Sequence, residues 1–228
     1  MSKTHSILAP VQQKLVALYG PDNYYTTRYS GEEAGYVGAI PWWMWKQSHK
    51  LGDVLDIGPA YGTLACLASS LNAKSVTTLD RVPFMSLEVI DTFHLIALEG
   101  DIERNCPTLA PDTYDTVIMT EVLEHLNFHP LQTLTKIAAS LRHGGIMYLS
   151  TPNRDSWGAI THRYKEIGAM PSYDEAKHAN APWHDEHIWH YSDYELRSLF
   201  NFIGLNVVGW TESVSPGGKH FNVGLYKP

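Results

Sequence analysis

The segment Val54-Leu55-Asp56-Ile57-Gly58-Pro59-Ala60-Tyr61-Gly62 constrains the fold more than any other part of the chain. An apolar run of strand length carries an acid near its end, and a turn with two glycines leads at once into an apolar stretch of helical period. That order predicts a buried strand, a tight turn and a helix, one β-α unit of a parallel sheet. The unit recurs. Strands are expected at 52–57, 75–80, 94–98, 115–120 and 145–151, with helices between them at about 61–71, 83–91 and 129–142. Gly144-Gly145 reads as the stop of the last of these helices.

The flanks follow other patterns. Apolar residues from Ile7 to Tyr19 recur near helical spacing and stop at Gly20-Pro21, which predicts a short N-terminal helix. Residues 20–48 crowd Tyr24, Tyr25, Tyr29, Trp42, Trp43 and Trp45 into a stretch of weak periodicity, expected to be a lid or pocket wall. Residues 153–190 break the β-α rhythm with His162, His178, His184, His187 and His190, and read as an inserted loop region. Ser192-Asp193-Tyr194-Glu195 has the spacing of a capping box and opens a helix that Gly204 ends. Strands at 205–212 and 220–226 flank Ser215-Pro216-Gly217-Gly218 and should pair as an antiparallel hairpin on the sheet edge. The expected organisation is an N-terminal helix and aromatic lid over 1–48, then one α/β domain over 49–228 with the insertion at 153–190.

Composition narrows the partners. The chain is 44% apolar and 18% charged, with a formal charge of −7, so it offers no broad attraction to nucleic acid phosphates. Cys66 and Cys106 lack metal or redox spacing and suggest reduced thiols. The first residues carry no secretory pattern, and no apolar run approaches the roughly 20 residues that span a bilayer. A cytoplasmic location without membrane contact is expected.

An acid and a glycine turn at the end of a strand mark a nucleotide site in an open α/β sheet. A dinucleotide fingerprint counted from Gly58 meets Ala60 and Thr63 where glycines are needed, and no Gly-Lys-Ser/Thr follows. A carboxylate at Asp56 would repel a pyrophosphate. It suits a cofactor with an ammonium group and no phosphate, which describes S-adenosylmethionine.

At this point the chain resembles the class I S-adenosylmethionine-dependent methyltransferases, whose first motif is matched by Asp56 to Gly62, with Ala60 standing where the family often has glycine. The resemblance implies a doubly wound, Rossmann-like sheet of seven mostly parallel strands, with cofactor contacts from Asp56, Gly58, Pro59 and Gly62. It implies that Asp80, with Arg81 beside it, takes the ribose hydroxyls, and that Asp101 and Ile102 recognise the adenine. Further similarity runs through residues 114–125, 141–145 and 150–153, within a region covering about 50–153. The branch it is most similar to contains the ubiquinone-biosynthesis methyltransferases.

Methyl transfer from a sulfonium requires alignment and, for a hydroxyl acceptor, removal of a proton. Glu121, Glu124 and His125 follow the fourth strand at i, i+3 and i+4, so if the chain enters a helix there they share one face. His125 is the expected base and Glu121 a further catalytic and cofactor-binding candidate. The same residues with His187 resemble the metal motif of small-RNA 2′-O-methyltransferases, which implies a divalent ion on Glu121, Glu124, His125 and His187. Tyr24, Tyr25, Tyr29, His184 and His190 are expected to face the acceptor. The leading expectation is methyl transfer to an oxygen or nitrogen of a small molecule. The alternatives are metal-assisted 2′-O-methylation of an RNA 3′ end and a non-catalytic cofactor-binding scaffold.

Overall fold

The computed structural model describes residues 3–104, 109–179 and 184–228, and Cys106 lies outside them. Its centre is a seven-stranded sheet in the order β3-β2-β1-β4-β5-β7-β6. The strands are β1 (Asp53–Ile57), β2 (Ser75–Asp80), β3 (Ile96–Glu99), β4 (Tyr114–Thr120), β5 (Leu141–Pro152), β6 (Asn206–Ser215) and β7 (Gly218–Tyr226). The first five pair in parallel, and β7 runs antiparallel between β5 and β6. The chain order reverses between β1 and β4, which opens a crevice at the carboxyl ends of those strands, the usual ligand position in such sheets.

Alternation along the strands divides the core between the two faces. Leu55, Val117 and Met119 turn to one face with Leu149 and the helix α9 (Asp193–Phe202). Val54, Val76 and Ile118 turn to the other, where they meet Leu8, Val11 and Leu15 of α1 (Lys3–Tyr19) and the buried face of α4 (Thr63–Ser70). The N-terminal helix is therefore core rather than appendage. The remaining β-α connections run through α5 (Leu87–Thr92) and α6 (Pro130–Ser140), and α5 is shorter than the sequence pattern predicts.

One expectation needs correction, and one is given its detail. Within the aromatic stretch 20–48, residues 25–46 are helical, with a π-helical turn at Tyr25–Tyr29, then α2 (Ser30–Val37) and α3 (Ile40–Lys46). Its periodicity is obscured because Leu-type spacing is replaced by stacked rings: Tyr25, Tyr29 and Tyr61 stand 5.1–6.2 Å apart. Gly144-Gly145 does not end a helix. α6 ends at Ser140, and the glycines form a bulge in β5 where the register with β4 shifts between Tyr114 and Thr116. A Cβ on Gly145 would come within 2.9 Å of the Asp115 carbonyl oxygen, which explains why this position carries none.

The insertion after β5 contains α7 (Arg154–Trp157) and α8 (Tyr173–Ala179) and returns to the sheet at Tyr191, bridged to Asn153. The expected hairpin is present, with β6 and β7 paired from Asn206↔Tyr226 to Ser215↔Gly218. No helix among the described residues is long and apolar enough to cross a membrane. The expected capping box is also present: Ser192 Oγ accepts the Glu195 N–H at 3.3 Å, and Glu195 Oε2 accepts the Ser192 N–H at 2.8 Å. Ser192→Ala should cost about 1 kcal/mol, seen as a fall in Tm of roughly 2–4 °C by calorimetry at this chain length.

Candidate active site

β1 ends in a turn whose backbone needs left-handed geometry at three places: Gly58 (φ 64°), Ala60 (φ 48°) and Gly62 (φ 82°). Gly58 donates its N–H to the Leu79 carbonyl at 2.8 Å, and a Cβ there would lie 2.4 Å from Val122 Cγ2. Glycine is thus required both for φ and for the approach of the loop after β4. Ala60 holds the same conformation at the steric cost of its methyl group.

Beside this turn lies a cavity of about 290 Å³ lined by Gly58, Asp80, Arg81, Asp101, Ile102 and Glu121, with Val82, Phe84, Glu103, His125 and Asp185 among the other walls. Acids from the ends of β2 and from the loop after β3 therefore reach one space. Asp56 does not line it. Its carboxyl is buried behind the turn with Oδ2 unpaired, and burial, reinforced by Asp80, pushes it well above the usual carboxylate range. Pro59 and Gly62 shape the turn, with Gly62 N–H donating to the Pro59 carbonyl at 2.7 Å. Arg81 pairs with Asp185 at 3.4 Å. Glu103 and Asp185 were invisible in the motif reading. Glu103 accepts the N–H groups of Asn127 and Phe128 at 3.0 and 2.9 Å and is pushed up to about 7, chiefly by burial.

The chain does not enter a regular helix directly after β4, so the condition for one shared face is not met. Glu121 takes φ 55°, so only Leu123–His125 makes a single 3₁₀ turn. Glu121 and Glu124 consequently point to different surroundings. Glu121 Oε1 accepts the Ser150 hydroxyl at 2.8 Å, and Oε2 stands 2.8 Å from His220 Nδ1. Burial pushes the Glu121 carboxyl up and the His220 imidazole down to about 4, so loss of water opposes an ion pair between them. His220 was missed because nothing in an alternating strand distinguishes one inward polar residue.

Glu124 is fully buried. Thr151 Oγ1 donates to its Oε2 at 2.9 Å, while Oε1 has no hydrogen-bond partner. The Glu124 carbonyl accepts the Ile188 N–H at 2.7 Å, which pulls the end of the insertion onto this turn. His187 thereby meets His125, ring centroids 4.7 Å apart, and Glu124, His125 and His187 place one ligand atom each within 4.8 Å of one another. Glu121 stands outside this group, in contrast to the four-residue set expected from the sequence. Burial lowers His125, and it brings His187 down to about 4.

The predicted acceptor residues separate. Tyr25 is buried with its hydroxyl 3.0 Å from Thr63 Oγ1, Tyr29 packs against Tyr25, Tyr36 and Tyr61, and Tyr24 is half exposed over Tyr61. His190 is buried behind His187. The His184 backbone N–H donates to Asn127 Oδ1 and its carbonyl accepts from Asn127 Nδ2, and the residue faces a different hollow, beside Arg163 and Tyr164.

A family model described as a methyltransferase domain matches residues 42–209. The chain belongs to that family. Its sheet order and strand ends are those of a class I S-adenosylmethionine-dependent methyltransferase. It is 33% identical over 109 residues to the ubiquinone biosynthesis O-methyltransferase of Xanthomonas campestris pv. campestris, over 44% of this chain and 43% of that protein. The match thus spans less than half the length of such curated relatives. Among solved structures, 1,6-didemethyltoxoflavin-N1-methyltransferase of Burkholderia thailandensis superposes with a TM-score of 0.66 at 15% identity, covering 100% of this chain and 91% of that one. Magnesium protoporphyrin IX methyltransferase of Synechocystis does so with a TM-score of 0.61 at 13% identity, covering 96% and 94%. At those identities the likeness concerns the methyltransferase fold alone.

The lid meets the domain through several contacts, among them Tyr25 with Thr63, the Ala39 N–H on Asn222 Oδ1 and the Ser213 hydroxyl on the Gly35 carbonyl, and it holds one buried acid. Glu33 of α2 accepts from Gln12 Nε2 at 2.9 Å and is pushed up from 4.5 to about 7, chiefly by burial. An acid with a raised folded value stabilises the fold when protonated; its contribution is complete below pH 4.5 and is lost as pH rises through 7. Glu33→Gln should therefore flatten the decline in stability between pH 4.5 and 8, measured by urea denaturation.

Proposed function

We propose that this methyltransferase domain binds S-adenosylmethionine in the cavity beside the Gly58–Gly62 turn and methylates an oxygen or nitrogen of a small molecule. The observation that carries the reading is the meeting of Asp80, Asp101 and Ile102 with Gly58 in one cavity at the carboxyl ends of adjacent strands. Paired oxygens of the Asp80 carboxylate are suited to two vicinal ribose hydroxyls, and Asp101 with apolar Ile102 to the amino group and face of an adenine. Asp56, buried behind the turn with Oδ2 unpaired, holds the turn from below and does not line the cavity.

The sulfonium supplies an activated methyl group, so the protein's task is alignment, exclusion of water and proton removal. When bound, the sulfonium would give up its methyl carbon to the acceptor and be left as S-adenosylhomocysteine. A hydroxyl or ammonium acceptor also loses a proton. His125, on the cavity wall and neutral near pH 7 because burial lowers it, is the group assigned to receive that proton. Glu121 and Tyr29 are assigned to the methyl-transfer end of the site. The ring-packed lid of Tyr25, Tyr29, Tyr36 and Tyr61 keeps water from it. A net charge of −7 favours a small acceptor over a nucleic acid.

Titration calorimetry with S-adenosylhomocysteine tests the cofactor site. The protein should bind it, and Asp80→Ala should weaken binding roughly 10- to 100-fold, the loss of one or two charge-assisted hydrogen bonds. Absence of binding by the unmodified protein would refute the reading. His125→Gln should lower methyl transfer to metabolite pools while leaving S-adenosylhomocysteine affinity unchanged.

A further inference from the structure

A second cavity, of about 360 Å³, backs onto the cofactor cavity. Asn127 and Phe128 line it, and their backbone N–H groups are held by Glu103, which lines the cofactor cavity on the other side. His184 likewise faces the second space, and its neighbour Asp185 the first. The two hollows therefore share a wall made of the turn after β4 and the end of the insertion, and an occupant of one does not fill the other. A volume of this order holds a small molecule.

The chemistry of the lining is one-sided. In a chain of 24 acids and 17 lysines and arginines, none of the described residues around this space is an acid. What they offer is donors: the Arg163 guanidinium, the Tyr164 hydroxyl and the imidazoles of His162 and His184 each carry at least one N–H or O–H. These donors are not used up within the protein. Arg163 Nε is buried without a hydrogen-bond partner, and among the described residues the Tyr164 hydroxyl and the two imidazole rings have none either. A buried N–H left without an acceptor is costly and is rare in folded proteins.

Charge and shape narrow the class of ligand. Nη2 of Arg163 is taken by Glu186, which stands outside the lining. That pair offsets much of the guanidinium charge, so the space balances a single negative charge better than the doubly charged form of a phosphate monoester. A carboxylate also matches the planar guanidinium edge. Phe128 and Ile188 complete the walls and call for an apolar body behind the charged end.

We propose that this second cavity binds a small organic carboxylate with an apolar body, received by Arg163 Nε and the Tyr164 hydroxyl. Its occupant bridges the insertion and the turn after β4, and so fastens residues 184–188, which carry His187 to the active site. No cofactor contact enters this inference, so it stands apart from the methyl-transfer reading.

The test uses para-fluorobenzoate as the probe, followed by fluorine NMR on the full-length protein. A ligand of this size at ordinary efficiency binds with a Kd of about 1–10 mM or tighter. The uncharged amide and the phosphate monoester of para-fluorophenol should each bind about 10-fold more weakly. Arg163→Gln should weaken benzoate binding about 10-fold and Tyr164→Phe about 2- to 10-fold. Saturating S-adenosylhomocysteine should leave the probe bound, and the probe should slow amide hydrogen exchange over residues 184–190. No binding by the unmodified protein, equal binding by Arg163→Gln, equal binding of the amide, or displacement by S-adenosylhomocysteine overturns the proposal. Tighter binding of the phosphate ester overturns the carboxylate assignment, and binding without slower exchange over 184–190 overturns the placement in this cavity. Arg163 and Tyr164 lie on a connecting segment, and circular dichroism checks that both variants are folded. Should Arg163→Gln fail to fold, Tyr164→Phe and the exchange measurement still decide the matter.

Discussion

β1 is hydrogen-bonded in parallel on both sides, to β2 and to β4, and nearly every residue in it is buried. A strand so enclosed can present chemistry only where it ends. The left-handed turn that follows is forced by this enclosure: the chain must leave the sheet, clear Val122 of the neighbouring loop and enter α4 within a few residues. Everything else at the site is arranged around that exit. Asp80 and Asp101 follow adjacent strands on one side of it, and Glu121 with its neighbours follows β4 on the other.

Burial then decides how these groups behave. Asp56, Glu33, Glu103, Glu121 and Glu124 are all held above the usual carboxylate range by loss of water, while His125, His187, His190 and His220 are held below the usual imidazole range. Acids and imidazoles in such proximity could form ion pairs in a more polar setting. Here the cost of burying charge opposes their mutual attraction.

Much of this was legible from residues alone. The β-α rhythm, the Asp56–Gly62 turn, the capping box at Ser192 and the hairpin around Pro216-Gly217 are local signals, each set by burial period or by the conformational needs of a few adjacent residues. Asp80 and Asp101 were readable because strand ends in a parallel sheet necessarily gather at one edge. The helical character of 25–46 was not readable, because its rings satisfy each other across the sequence instead of along one helical face. Likewise the local spacing of Glu121, Glu124 and His125 left open whether they share a face, and one left-handed residue, Glu121, decided that they do not.

The sequence by itself determined the buried strands, the glycine turn after β1 and the acids at the end of β2 and just beyond β3, because those depend on neighbours within a few positions. Only the tertiary structure decided the partners of Glu121, Glu124 and His187. A single backbone hydrogen bond from Ile188 to the Glu124 carbonyl brings residues 63 positions apart together, given that His187 lies beside Ile188 and meets Glu124 there. The bend at Glu121 sends that side chain to His220 on β7 instead. Such pairings follow from how two distant segments close over the same strand ends, and no local spacing encodes that closure.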